Sequence, residues 1–251
     1  LDIGGAETHI VELAKELKHQ GHDVLIVSNG GVYVPEVEAA GIRHYRAPLN
    51  QRSAGAMYRA RRILKQVIRK ERPDVVHAHA RIPAFLCGGI CRWGRVPFVT
   101  TAHWVFDTSG MLRYLTNWGE RTVAVSEDIR DYLIREYNTP AGHITVTING
   151  IDTEKFSPAL TGEGVIAEFG LDRTRPILSY VSRMDEDRAL VARQLIEIAP
   201  ELDRALPGIQ LLIAGGGNVF EKLKVRAEEV NRSLGRRCVT MTGPRTDINE
   251  I

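Results

Sequence analysis

Asn149-Gly150-Ile151-Asp152-Thr153-Glu154-Lys155-Phe156 is the stretch on which the fold turns, because one run of strand and helix patterns ends there and another begins. Downstream, the apolar strand Ile177–Ser182 runs straight into Arg183-Met184-Asp185-Glu186-Asp187-Arg188. A second α/β unit that opens with two arginines at a strand end suggests two domains facing each other across a cleft, with an anion held between them. The chemistry this points to is that of a phosphorylated donor.

Working outward, the first unit alternates regularly. Gly5–Gln20 carries Ile10, Leu13, Ala14 and Leu17 on one helical face, and Gly21 stops it. Apolar runs follow at Val24–Val27 and Ile42–Tyr45, then a helical stretch at Ser53–Glu71. Val75-Val76-His77, Phe98–Thr101 and Thr122–Val125 read as short strands, and Ser126 as the N-cap of a helix over Glu127–Tyr137. In the second unit, Ile177–Val181, Gln210–Ala214 and Val239–Met241 read as strands. Helices are expected near Asp187–Asp203 and Val219–Ser233. Short apolar strands separated by helices imply parallel sheets buried on both faces. The division is expected at 160, giving an N-terminal domain over 1–160 and a partial C-terminal domain over 161–251. Leu1-Asp2-Ile3-Gly4-Gly5 reads as a strand-to-helix turn without its strand, so the expectation is a chain lacking its first strand and part of its second domain.

Composition narrows the function classes. Across 251 residues, 33 basic and 31 acidic side chains leave a net charge of +2, which gives no global case for nucleic acid. Three cysteines, Cys87, Cys91 and Cys238, are too few and odd in number for a secreted disulfide framework. No apolar run reaches the roughly 20 residues of a membrane span and no signal peptide is visible, so a cytoplasmic location is expected.

Each motif has a plain alternative. Gly4-Gly5 ahead of a helix lets backbone N–H groups approach a phosphate or sugar, though a tight turn explains it as well. Arg183 and Arg188 suit a departing diphosphate, or equally a solvated helix entry balanced by Asp185, Glu186 and Asp187. Asp185-Glu186-Asp187 could hold a divalent ion, but acids are favoured at a helix start anyway. His77 and His79 share one face of a strand with no third ligand evident, so no metal site is assigned. Cys87 and Cys91 read as small buried hydrophobes. His103 follows a strand at the end where open parallel sheets bind ligands. Gly215-Gly216-Gly217 exceeds what a turn requires and favours close approach of a ligand. The helix from Met57 to Arg72 sets an apolar arc against Arg59, Arg61, Arg62, Lys65, Arg69 and Lys70. It reads as an outer helix of the domain, with peripheral contact to anionic lipid as the alternative.

In order along the chain, Gly4-Gly5-Ala6-Glu7, Arg72-Pro73-Asp74-Val75-Val76-His77, Thr101-Ala102-His103, Val125-Ser126-Glu127, Asn149-Gly150-Ile151-Asp152, Ser182-Arg183 and Ala214-Gly215-Gly216-Gly217 resemble the motifs of family 4 glycosyltransferases. That resemblance implies the GT-B fold, an α/β architecture of two Rossmann-like domains with parallel sheets facing a cleft. It implies retaining transfer of a sugar from a nucleoside-diphosphate sugar to an acceptor, with no metal and no cofactor beyond that co-substrate. The acceptor class stays open between lipid-linked, polysaccharide and small-molecule compounds. Gly4 and Gly5 would line the cleft, His103 would lie beside the transferred sugar, and Arg183 would stabilise the diphosphate. Asn149 and Gly150 would border the cleft, with Gly215 and Gly216 in the donor domain. Arg188 stands where the family commonly has lysine, and the family's Glu-x7-Glu donor segment would fall beyond Ile251. Two alternatives accompany this reading, a nucleotide-sugar epimerase of the same fold and a noncatalytic nucleotide- or sugar-binding fragment.

Overall fold

The computed structural model describes residues 1–106, 108, 113 and 116–251. These form two compact units, Leu1–Ile151 and Asp152–Ile251. The division falls before the 160 expected from sequence. Asp152 starts a turn of its own, its carboxylate accepting the N–H groups of Glu154 and Lys155 while its carbonyl accepts that of Phe156.

In the first unit the elements run α1 (Gly5–His19), β1 (Leu25–Ser28), α2 (Val34–Ala39), β2 (Arg43–Arg46), α3 (Ala54–Glu71), β3 (Val76–Ala78), α4 (Arg81–Gly94), β4 (Phe98–Ala102), β5 (Arg121–Ala124), α5 (Glu127–Tyr137) and β6 (Ile144–Val146). All strand pairs are parallel: β1 with β2 in one ladder, and β3-β4-β5-β6 in the other. Side chains join the two ladders, since Val27 of β1 and Ala47 and Leu49 after β2 pack with Leu64, Ala78, Ala84 and Phe98. Parallel neighbours need crossovers, and the helices supply them.

Local chemistry sets the helix ends. Ser53 caps α3 by accepting the Ala56 N–H, and Ser126 caps α5 by accepting that of Ile129. Glu127 and Asp128 add favourable charge in the first turn of α5. Helices α3, α4 and α5 each close on a left-handed non-glycine residue, Arg72, Arg95 and Asn138 respectively. The apolar face of α3, with Ala60 and Leu64 buried and Met57, Ile63 and Ile68 packed alongside, is used up by the core. Its basic residues lie on the opposite face, as the outer-helix reading expects.

The second unit runs α6 (Glu163–Phe169), β7 (Ile177–Val181), α7 (Leu190–Ala205), β8 (Gln210–Ala214), α8 (Phe220–Leu234) and β9 (Val239–Gly243), with a parallel sheet ordered β7-β8-β9. Every residue of the central strand β8 is buried, which is what a parallel strand covered on both faces requires. Met184, Ile196, Leu211 and Ile213 lie at the middle of its core. Helix α7 starts at Leu190 and not near Asp187, because the intervening residues form a turn bonded to Asp185: the N–H groups of Arg188 and Ala189 both donate to the Asp185 carbonyl. Among the described residues no helix is long and apolar enough to cross a membrane.

Candidate functional site

In each unit several of the residues singled out by sequence, His79 and His103 in the first and Arg183 and Gly215-Gly216-Gly217 in the second, stand at the carboxyl ends of strands, where open α/β sheets bind their ligands. In the first unit, β3 delivers His79 and β4 delivers His103, one residue past each strand. The two imidazoles meet, with His79 Nδ1 3.2 Å from His103 Nε2. His9, in the early turns of α1, brings a third ring to within 5.1 Å of His103 and 5.8 Å of His79, centroid to centroid. The ring of His77 lies 4.0 Å from that of His79, and its Nε2 is 2.7 Å from Thr101 Oγ1.

Burial is the main electrostatic force on this cluster. It pushes His79 down to about 2 and His103 down to about 4, and each is lowered further by the charge that neighbouring histidines would carry. His9 and His77 shift in the same direction, again first through desolvation. At neutral pH the rings are therefore neutral, each offering one N–H and one lone pair. Such a surface donates to and accepts from hydroxyl groups without carrying net charge. His9 was not singled out from sequence. It belongs to a helix far along the chain from the other three, and only the fold reveals it.

Gly4 and Gly5 open α1. The Gly4 carbonyl accepts from both the N–H and the hydroxyl of Thr8. A side chain at Gly5 would meet nothing within 4 Å, and one at Gly4 would meet only the flexible Glu7 carboxylate. Packing inside the chain therefore does not demand these glycines. Asn149 and Gly150 lie in the exposed segment after β6, and a side chain at Gly150 would likewise meet open space.

In the second unit, Arg183 lies two residues past β7 and is about half exposed (49 % of its side chain), paired with Asp185 at 2.7 Å. Arg188 lies 3.8 Å from Asp187. Asp185 is turned inward, where its carboxylate also accepts the Asn218 N–H at 3.4 Å, while Asp187 is largely exposed. The turn carrying Arg183 is bonded to the neighbouring loop through main-chain groups: Ser182 N–H to Ala214 O, Met184 N–H to Gly216 O and Val219 N–H to Met184 O. Glycine is required there. A Cβ at Gly215, whose φ is +139°, would fall 1.8 Å from the Ser182 carbonyl oxygen, and one at Gly217 would fall 2.4 Å from the Met184 backbone. Gly216 sits more loosely, 3.2 Å from Pro244. The triple glycine thus has a packing role at Gly215 and Gly217 that sequence alone did not reveal.

A separate groove of about 560 Å³ is lined by Arg61, Phe85, Leu86, Gly89, Thr116, Asn117 and Trp118, and none of the four histidines borders it.

Comparison with known proteins bears on both fold and family. The sequence pattern of Glycosyltransferase Family 4 matches residues 3–155. The chain is 30% identical, across an alignment 266 positions long, to alpha-maltose-1-phosphate synthase of Mycolicibacterium smegmatis, covering 96% of this chain and 63% of that protein. Among solved structures, a glycosyltransferase from Rickettsia africae superposes with a TM-score of 0.77 at 23% identity, covering 100% of this chain and 68% of that one. The Anabaena protein HepE, solved in complex with UDP-glucose, superposes with a TM-score of 0.75 at 17% identity, covering 99% and 68%. These likenesses show the GT-B class of fold, with two Rossmann-like α/β units. The chain spans about three-fifths of the length of the curated relatives it matches. With its motifs at the strand ends and its family pattern matched over most of its length, the chain belongs to glycosyltransferase family 4.

Proposed function

We propose that the complete protein transfers a sugar from a nucleoside-diphosphate sugar to an acceptor with retention of configuration. The observation that carries this reading is the set of neutral histidines at the carboxyl ends of β3 and β4, in a chain whose family pattern spans the same unit. Neutral imidazoles suit hydroxyl-rich ligands, and His103 is the one we place beside the transferred sugar. The open space at Gly5 supports close approach of a ligand to the start of α1. In the second unit, Arg183 and Arg188 would meet the negative charge that grows on the departing diphosphate, a guanidinium being charged at every working pH. Gly215 and Gly216 would border the donor from the adjoining strand end, and Asn149 and Gly150 the segment where the units join in sequence. HepE was solved with a UDP-sugar, which favours a uridine nucleotide as the first donor to try. No cofactor beyond the nucleotide sugar enters this reading.

The test is a donor panel on the full-length protein, read as nucleoside diphosphate released, with Arg183→Ala as the variant. Losing a half-exposed ion pair costs at most about 1 kcal/mol of stability. Losing charge stabilisation of the leaving group should lower kcat by about 10²–10³-fold. Unchanged turnover at saturating donor would remove Arg183 from the mechanism. NMR of the product's anomeric centre tests retention. Conversion of the nucleotide sugar to its epimer without acceptor would instead select the epimerase alternative, and donor binding without any conversion would select the noncatalytic one. A lipid-linked acceptor would draw on the outward basic face of α3. Because the apolar face of that helix is packed into the core, its contact with an anionic vesicle would be electrostatic and abolished by salt.

A further inference from the structure

The histidine cluster has a geometry that sugar binding does not require. His9, His79 and His103 each offer one ring nitrogen, and the three nitrogens all lie within 4.8 Å of one another. A tetrahedral cation with metal–nitrogen bonds of about 2.0–2.1 Å holds its ligand nitrogens about 3.3–3.4 Å apart. The His79–His103 edge, at 3.2 Å, already has that length. Closing the widest edge asks about 1.4 Å at most, within reach of imidazole rotation about χ1 and χ2.

We propose that His9, His79 and His103 form a three-nitrogen site for a borderline divalent cation of the zinc class, with a fourth position open to water or to a ligand oxygen. Three neutral imidazoles suit Zn²⁺, Ni²⁺ or Cu²⁺, whereas Mg²⁺ and Ca²⁺ want oxygen ligands. Two of the ligands are held by rigid parts of the fold, since the preceding Ala78 and Ala102 are buried in the sheet. A second layer is present too. His77 lies tilted against His79, ring centroids 4.0 Å apart, and is itself held by Thr101, which confines the His79 ring from one side. The site stands whether or not the chain transfers sugar, because it needs only the first unit's histidines. A cation there would occupy the same strand ends as the sugar in the reading above, and would compete with it.

The experiment uses the protein prepared without a histidine tag and stripped with chelator, titrated with Zn²⁺ against a chromophoric chelator. One equivalent should bind, and His9→Gln, His79→Asn or His103→Asn should each weaken it at least tenfold, with far-UV circular dichroism unchanged. His22→Gln and His143→Gln, exposed and outside the cluster, should leave it intact. Co²⁺ should give the intense visible bands of a four-coordinate ion. Histidine ring ¹⁵N NMR of the unmutated protein provides a reading independent of variant folding. Zn²⁺ should shift the nitrogens of His9, His79 and His103 together. Absence of stoichiometric binding, or shifts confined to other histidines, would overturn the proposal.

Discussion

Alanine at Gly215 and alanine at Gly5 should change stability in opposite directions, although sequence alone reads both as glycines that admit close approach of a ligand. At Gly215 the backbone lies in a region essentially reserved for glycine (φ +139°), and a side chain there costs about 1–3 kcal/mol in strain. Its Cβ would also lie 1.8 Å from the Ser182 oxygen, so the two loops must part by about 1.5 Å to restore ordinary contact. That movement breaks the Ser182–Ala214 and Met184–Gly216 hydrogen bonds, now 3.0 and 2.9 Å, at about 0.5–1.5 kcal/mol each. The sum is a destabilisation of about 2–6 kcal/mol, confined to the second unit. At Gly5 nothing lies within 4 Å and the residue is helical, so alanine should stabilise by up to about 1 kcal/mol through helix propensity. Peptide-resolved hydrogen exchange under native conditions separates the units. Protection over β7 and β8 should fall by one to four decades in Gly215→Ala and stay unchanged in Gly5→Ala. Protection of β8 within a factor of two of the parent in Gly215→Ala would refute the argument that loop packing selects this glycine.

Arg95 ends α4 at φ +54°, and Arg95→Gly should raise the first unit's urea midpoint by the equivalent of up to about 1 kcal/mol, a lowered midpoint counting against the cap reading. Burial pushes the Cys87 thiol up to about 12 and Cys91 up to about 11, and Cys238 is also raised. No thiol should react quickly with an aromatic disulfide reagent at pH 8, and all three should react in denaturant; one fast-reacting native thiol contradicts this. Asp203 is held below the usual carboxylate range, chiefly by its hydrogen bonds with Arg236. Its contribution to stability is present above an ordinary carboxylate value of about 3.9 and lost as pH falls through the lowered native value. Asp203→Asn should therefore lower stability at pH 7 and flatten its decline between pH 5 and 2, which urea melts across that range would show.

What was legible in the sequence follows the reach of the forces involved. Helix α5 begins and ends as expected because Ser126, its two acids and Asn138 are local signals, and β8 because four consecutive apolar residues, Leu211 to Ala214, suit burial on both faces. Helix α2 was not foreseen. It has six residues, with Gly30-Gly31 before it and Pro35 in its first turn, and reads locally as loop until Val37 packs into the core. The same holds for α4, where Pro83, Gly88 and Gly89 argue against a helix by propensity while six of its fourteen residues are buried. The position of His103 and Arg183 just past β4 and β7 was legible because strand ends can be located by local pattern. Their surroundings were not, since His9 reaches His103, and Gly215 reaches Ser182, only through tertiary contact.

The arginine turn after β7 hangs from its neighbour chiefly by peptide groups, with three main-chain bonds beside the one that the Asn218 N–H gives to the Asp185 carboxylate. A point of attachment made this way is blind to the identity of most residues it carries. Mutational drift at positions 186–188 can then rewrite the local charges, exchanging one cation for another, while Arg183 still leaves the sheet at the same place. The evolutionary constraint shifts onto the glycines opposite, where a single methyl group would move the anchor. A saturation library across both loops should show that asymmetry as broad tolerance on one side and near-exclusive glycine at 215 and 217 on the other.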